Sequence, residues 1–166
     1  MALPFQFVAG IGLKAGIVLL TIIVLILLDP SYVTAYITVN YEIMLIYIIA
    51  GLTLIYCIIS IIMYAVMSKS VEEDEDIRLT NCALTEIVFG GAGIVCWMIV
   101  CGIGGTVAQR TIIETGQYFG VLGACAGIIA CLFAGIAGVF ALILMEKITS
   151  ADRKRYSNAD MGNIQY

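Results

Sequence analysis

The chain has no histidine, one tryptophan and two prolines, and only 12% of its 166 residues are charged. Without histidine, imidazole ligation of haem and most proton transfer near neutral pH are excluded. The charged fraction is about half the ~25% usual for soluble domains, which leaves too few polar groups to cover a water-facing surface. A soluble globular fold is therefore excluded, and an apolar content of 62% excludes disorder. A formal net charge of −4 offers no basic face for nucleic acid. The six cysteines contain no C-x-x-C pair, and no glycine-rich phosphate loop or nucleophile–base set is present. No enzyme activity, metal or cofactor is expected.

What the chain has in abundance is uninterrupted apolar sequence. Four runs, 7–28, 43–67, 83–103 and 118–145, each reach the ~20 residues that cross a hydrocarbon core as helix. In lipid the backbone must satisfy its own polar groups, so these runs predict α-helices despite their many Ile and Val residues. The expected fold is an all-α membrane protein, a four-transmembrane-helix bundle. Residues 1–147 form the bundle and 148–166 a tail. Lys14, Lys69, Arg78, Lys147, Arg153, Lys154 and Arg155 belong to one side of this arrangement and Arg110 alone to the other. By the positive-inside rule both termini and the middle loop lie in the cytoplasm. The first run lacks the basic start of a cleavable signal and is expected to stay in the mature chain.

Two short segments then face outward, 29–42 and about 104–117, and neither holds a cysteine or an Asn-x-Ser/Thr acceptor. An extracellular disulfide framework is excluded, and with it the outer-loop cysteine signatures of claudins, tetraspanins and gap-junction proteins. Within the first segment, Tyr32, Thr34, Tyr36, Thr38 and Asn40 alternate with Val33, Ala35, Ile37 and Val39. Period two with β-branched and aromatic residues predicts an extended strand, which either caps the helix ends or offers Tyr32, Tyr36 and Tyr41 to an outside neighbour. A hairpin of fourteen residues reaches only about 23 Å, so adhesion across a gap requires partner membrane proteins with larger ectodomains.

Helices already in lipid associate through close packing of small residues. The fourth run carries two such ridges: Gly123, Gly127, Cys131 and Gly135, and beside them Ala126, Ala130, Ala134 and Gly138. The first run offers Gly12 and Gly16, and the third Gly90, Gly91 and Gly93. These serve internal packing, or dock another protein or a second copy as a homo-oligomer. Gly127 is expected to be intolerant of leucine, with Leu132 lying off the ridge. Lys14 and Glu86 are the only ionisable groups within the runs. They either snorkel to one leaflet surface, form an ion pair joining helix one to helix three, or serve a transport path. Trp97 sits too deep for an interfacial belt and is expected to face the bundle with its indole N–H partnered.

On the inside, the run from Glu72 to Asp76 is a solvated loop or a mate for Arg153–Arg155, and Cys82 at a helix end is a candidate acylation site. Ile164 and Tyr166, two apart at the end of the chain, fit the loose pattern of a ligand for a cytoplasmic PDZ-type adaptor.

The stretches Ile11–Leu28, with its early lysine, and Glu86–Arg110, with its Gly-rich start, mid-helix Trp-Met and Gly-Gly-Thr exit, resemble the small four-helix membrane proteins of the MARVEL type. Within that group the likeness is greatest to septate-junction components. The resemblance implies a non-enzymatic scaffold or assembly component of epithelial cell junctions, placed at lateral cell–cell contacts of the plasma membrane with partner membrane proteins. A vesicle-trafficking protein of the same type and an accessory subunit of a channel or transporter are the alternatives.

Overall fold

The computed structural model describes the backbone of residues 5–28, 41–67, 75–110 and 113–162, and the side chains of 8–28, 41–66, 80–109 and 117–150. The described backbone is helical: α1 (Phe5–Leu27), α2 (Tyr41–Met67), α3 (Glu75–Arg110) and α4 (Ile113–Gly162). Each contains a stretch long and apolar enough to cross a membrane, Val8–Leu27, Tyr41–Val66, Thr80–Gln109 and Gln117–Ser150. Both prolines lie outside these helices, so nothing inside them interrupts the hydrogen-bond ladder. α1 ends just before Asp29-Pro30, where the proline disfavours helix in the residue preceding it. Leu28 N–H donates to the Val24 carbonyl at 3.1 Å, and the Leu28 carbonyl accepts from Tyr47 Oη of α2 at 2.5 Å. That bond supplies an otherwise orphaned helix-end acceptor with a donor from the neighbouring helix.

The helices form a ring in chain order. α3 and α4 share the most extensive interface, α1 packs on α4 and α2, and α2 meets α3 only sparsely. A two-residue connection at 111–112 makes α3 and α4 antiparallel neighbours. Their backbones then meet at a glycine pair. A Cβ on Gly104 would lie 2.8 Å from Gly123 Cα, a position only hydrogen can occupy. Further along, a Cβ on Gly93 would strike the Phe133 ring at 2.7 Å, and one on Gly90 would sit 3.2 Å from Ala137 Cβ. The interior is filled by Ile17, Val24, Ile46, Trp97, Leu122, Ile129, Phe133, Ile136 and Phe140, while Leu19, Ile26, Leu52, Val88, Met98 and Leu142 stand exposed around the outside. An exterior this apolar is the reverse of a water-soluble protein's.

Several boundaries differ from the sequence expectation. The second outer segment, expected at 104–117, is helical over 104–110 and 113–117. Tyr41, expected in the first outer segment, is the first residue of α2 and 79% exposed; Tyr32 and Tyr36 lie outside the described residues. α4 runs through position 147 without a break to Gly162. The segment after 147 is charged but free of proline, and Ala151, Arg153, Lys154 and Arg155 sustain helix, so loss of hydrophobicity does not end it. α3 likewise begins at Glu75, inside the acidic run.

Candidate functional site

α2 carries Tyr56, Ser60 and Tyr64 at four-residue spacing, which places the three hydroxyls on one stripe of the helix. Lys14 of α1 enters this stripe from one side and Glu86 of α3 from the other. Both are buried, at 0% and 3% exposure. Lys14 Nζ lies 2.6 Å from Glu86 Oε1 in an ion pair, and donates also to Tyr64 Oη at 3.0 Å and to Ser60 Oγ. Ser60 Oγ in turn donates to Glu86 Oε1 at 2.5 Å, and Tyr56 Oη donates to Glu86 Oε2. All three ammonium protons have acceptors, and both carboxylate oxygens have donors. The ammonium also stands 4.3 Å from the Tyr64 ring centroid and 5.0 Å from that of Tyr56, within cation–π range. The cluster is electrically neutral and joins three helices through one carboxylate and one ammonium.

Aromatic rings seal it. Tyr64 stacks on Phe140 with centroids 6.1 Å apart, and both rings pack beside Gly10. Tyr56 stacks on Phe89 at 5.2 Å and leans on Phe133 at 6.2 Å. One level further along the bundle, buried Trp97 donates its indole N–H to Thr53 Oγ1 at 3.0 Å. Among the described residues no buried side-chain polar atom lacks a hydrogen-bond partner.

Beside the cluster, where α2 and α3 diverge, lies a groove of about 940 Å³. Ile49, Leu52 and Ala92 line one end, Asn81, Thr85 and Val66 the other, and Phe133 the back. Tyr56, Ser60 and Glu86 contribute to its wall midway.

The structure thus brings Lys14 and Glu86 together, with the lysine turned inward rather than running to a surface. The small-residue set is divided. Gly123 meets the α3 backbone, with Cys101 O at 3.3 Å from its notional Cβ, and Ala126 and Ala130 are buried. Gly16 opposes Leu132, Gly135 opposes Leu13, and Gly127 opposes Cys101 Sγ, each at 3.6–3.7 Å from a notional Cβ. Gly12 and Gly138 have nothing within 4 Å, and Ala134 is exposed. Leu132, expected off the interface, packs against the core and covers Gly16. Cys82 is half-buried at the groove's edge. Ile164 and Tyr166 lie outside the described residues. The described His, Cys, Asp and Glu residues form no group able to hold a metal ion.

Sequence reasoning missed Tyr56, Ser60 and Tyr64. The signal was present, since a hydroxyl at every fourth position of an apolar helix, charged only at Glu42 in its first turn, marks a face that meets polar partners. No protein-family profile matches the chain, and neither does any curated protein or solved structure. Its class is that of an all-helical protein with four helices long and apolar enough to span a membrane.

Proposed function

We propose that the chain is a multi-pass membrane protein with both ends in the cytoplasm, acting as a non-enzymatic scaffold or assembly component of epithelial cell junctions at the plasma membrane. The observation that carries this is the closed polar cluster. Lys14, Glu86, Ser60, Tyr56 and Tyr64 spend their donors and acceptors on one another, fixing three helices in register. The outward faces, by contrast, are apolar and uncommitted. A core specified from within and a surface left for neighbours suit a component that assembles with other integral membrane proteins. The junctional setting follows from the MARVEL-type likeness and from outer segments too short and cysteine-poor to form an ectodomain. The bias of Lys and Arg toward one side supports the orientation.

Epitope tags at each end, probed before and after permeabilising cells, test the orientation; a tag reached on intact cells refutes it. Immunolocalisation with proximity labelling in a polarised epithelium tests the role. Enrichment at lateral contacts, with labelling of integral proteins bearing large ectodomains, is expected. Uniform surface distribution refutes the junctional role. Residence in recycling endosomes points to trafficking, and fixed-stoichiometry purification with a pore-forming protein to an accessory subunit.

A further inference from the structure

α3 and α4 carry polar borders at matching levels. From Gly90 against Ala137 to Gly104 against Gly123, fourteen residues forward on α3 match fourteen backward on α4, so one register holds along their interface. The same register sets Asn81 opposite Glu146 at one end, and Gln109 opposite Tyr118, next to Gln117, at the other. Asn81, Gln109, Gln117 and Glu146 are all exposed, so each helix has a polar edge at both ends and the edges lie level. Between them, every exposed residue of 82–108 and 118–145 is apolar or glycine, Thr85 and Thr106 excepted. Those two hydroxyls donate to the Asn81 and Ile103 carbonyls of their own helix, at 2.8 and 2.9 Å, and need no water. Glu86 makes no border either, because it is buried against Lys14.

At about 1.5 Å per residue, the apolar belt on α3 and α4 is about 40 Å tall. On α2 the exposed residues from Met44 to Val66 are apolar over about 33 Å. An ordinary hydrocarbon core is about 30 Å thick. A belt that is too tall can kink, tilt or sit in thicker lipid. Kinking is closed to it, since the helices contain no proline and run unbroken. Tilt alone would need about 41°, beyond the range of about 0–40° found for spanning helices, and the packed helices would have to lean together. The average tilt of about 20° shortens the belt only to about 38 Å.

From this height we propose that the bundle selects bilayer thickness: α3 and α4 gather long-chain lipid around themselves and hold the protein in the thickest bilayer open to it. Among cellular membranes that favours a plasma membrane, with a core of about 32–33 Å, over the endoplasmic reticulum at about 27 Å. The partner is the acyl chain of bulk lipid, recognised by its length. This rests on the membrane placement proposed above and deepens it.

The full chain is reconstituted in fluid vesicles of two monounsaturated phosphatidylcholines in equal amounts, with chains of about 16 and about 24 carbons. Discs are excised with styrene–maleic acid copolymer, and the lipid ratio in protein-bearing and empty discs is measured by mass spectrometry. The long-to-short ratio should be about twofold higher in the protein-bearing discs. Val121→Asp combined with Leu142→Asp, both exposed on α4, cuts that helix's apolar belt to about 29 Å and should remove about half of the enrichment. Ile148→Asp, beyond the Glu146 border, should leave it unchanged. A ratio equal to that of empty discs, a preference for the shorter lipid, or an enrichment that survives the double variant would overturn the proposal. Should the double variant lose the wild-type thermal transition, polarised infrared dichroism of the unaltered chain in lipid of about 18 carbons decides. A mean helix tilt below about 30° is expected, and a larger one overturns thickness selection. Alkaline carbonate extraction of the vesicles separates the two levels: a chain that stays in the pellet without enriching long lipid refutes thickness selection alone. Release into the supernatant refutes the membrane placement beneath it.

Discussion

Lys14→Met should be among the most damaging single substitutions in the bundle. The methionine preserves the length of the side chain but removes the cation 2.6 Å from Glu86 Oε1, leaving a buried carboxylate with only Ser60 and Tyr56 as donors. Removing one partner of a buried ion pair costs about 3–5 kcal/mol, because the remaining charge is stranded in a medium that does not solvate it. At about 1.4 kcal/mol per decade this is between two and four decades in the folded-to-unfolded ratio. Glu86→Gln should cost a similar amount, since it strands an ammonium that is itself fully buried. The double variant carries no stranded charge, and its amide still accepts from Ser60 or Tyr56. It should lose about 2 kcal/mol, where additivity of the singles demands about 6–10. Unfolding by SDS titration in mixed micelles measures all four proteins, with the only tryptophan, buried Trp97, as the fluorescence reporter. Single variants within about 1 kcal/mol of wild type, or a double variant equal to their sum, would refute a coupled buried pair.

The glycine contacts give predictions of opposite sign in the same titration. Gly104→Ala puts a Cβ 2.8 Å from Gly123 Cα, where backbone cannot yield, and should destabilise by about 1–3 kcal/mol. Gly102→Ala meets nothing within 4 Å and should stabilise by about 0.5–1 kcal/mol through helix propensity alone. Gly93→Ala should destabilise through its clash with the Phe133 ring, and Phe133→Leu in the same chain should recover part of the loss; no recovery would place the strain elsewhere. Thr53→Val removes the acceptor 3.0 Å from Trp97 Nε1 and should cost about 1–3 kcal/mol, with the tryptophan emission shifting as the indole N–H loses its bond.

The sequence carried the number of helices and their approximate positions, because twenty-odd apolar residues in a row have one stable conformation in lipid and that constraint does not depend on tertiary context. The helix ends were less legible. Hydrophobicity reports where a helix leaves an apolar medium, whereas the backbone stops where hydrogen bonding fails, as it does before Asp29-Pro30 and does not at position 147. Azimuth was harder still. The helices are apolar nearly all round, so polarity does not distinguish the inward face of Gly123 from the outward face of Gly138. Lys14 and Glu86 stood out as the only charges in their runs. Their hydroxyl partners on α2 did not, because a tyrosine or serine in an apolar helix is cheap enough to go unremarked until a third helix supplies the reason for it.

The unbroken course of α4 has a mechanical meaning. Fifty residues of helix extend about 75 Å, against about 45 Å for a whole bilayer with its headgroups. In the proposed setting some 30 Å of that rod must project from the lipid as a stiff continuation of the last span. Any protein gripping its far end would be held at a set stand-off from the bilayer, and a sideways pull there would act as torque directly on the Gly104–Gly123 fulcrum.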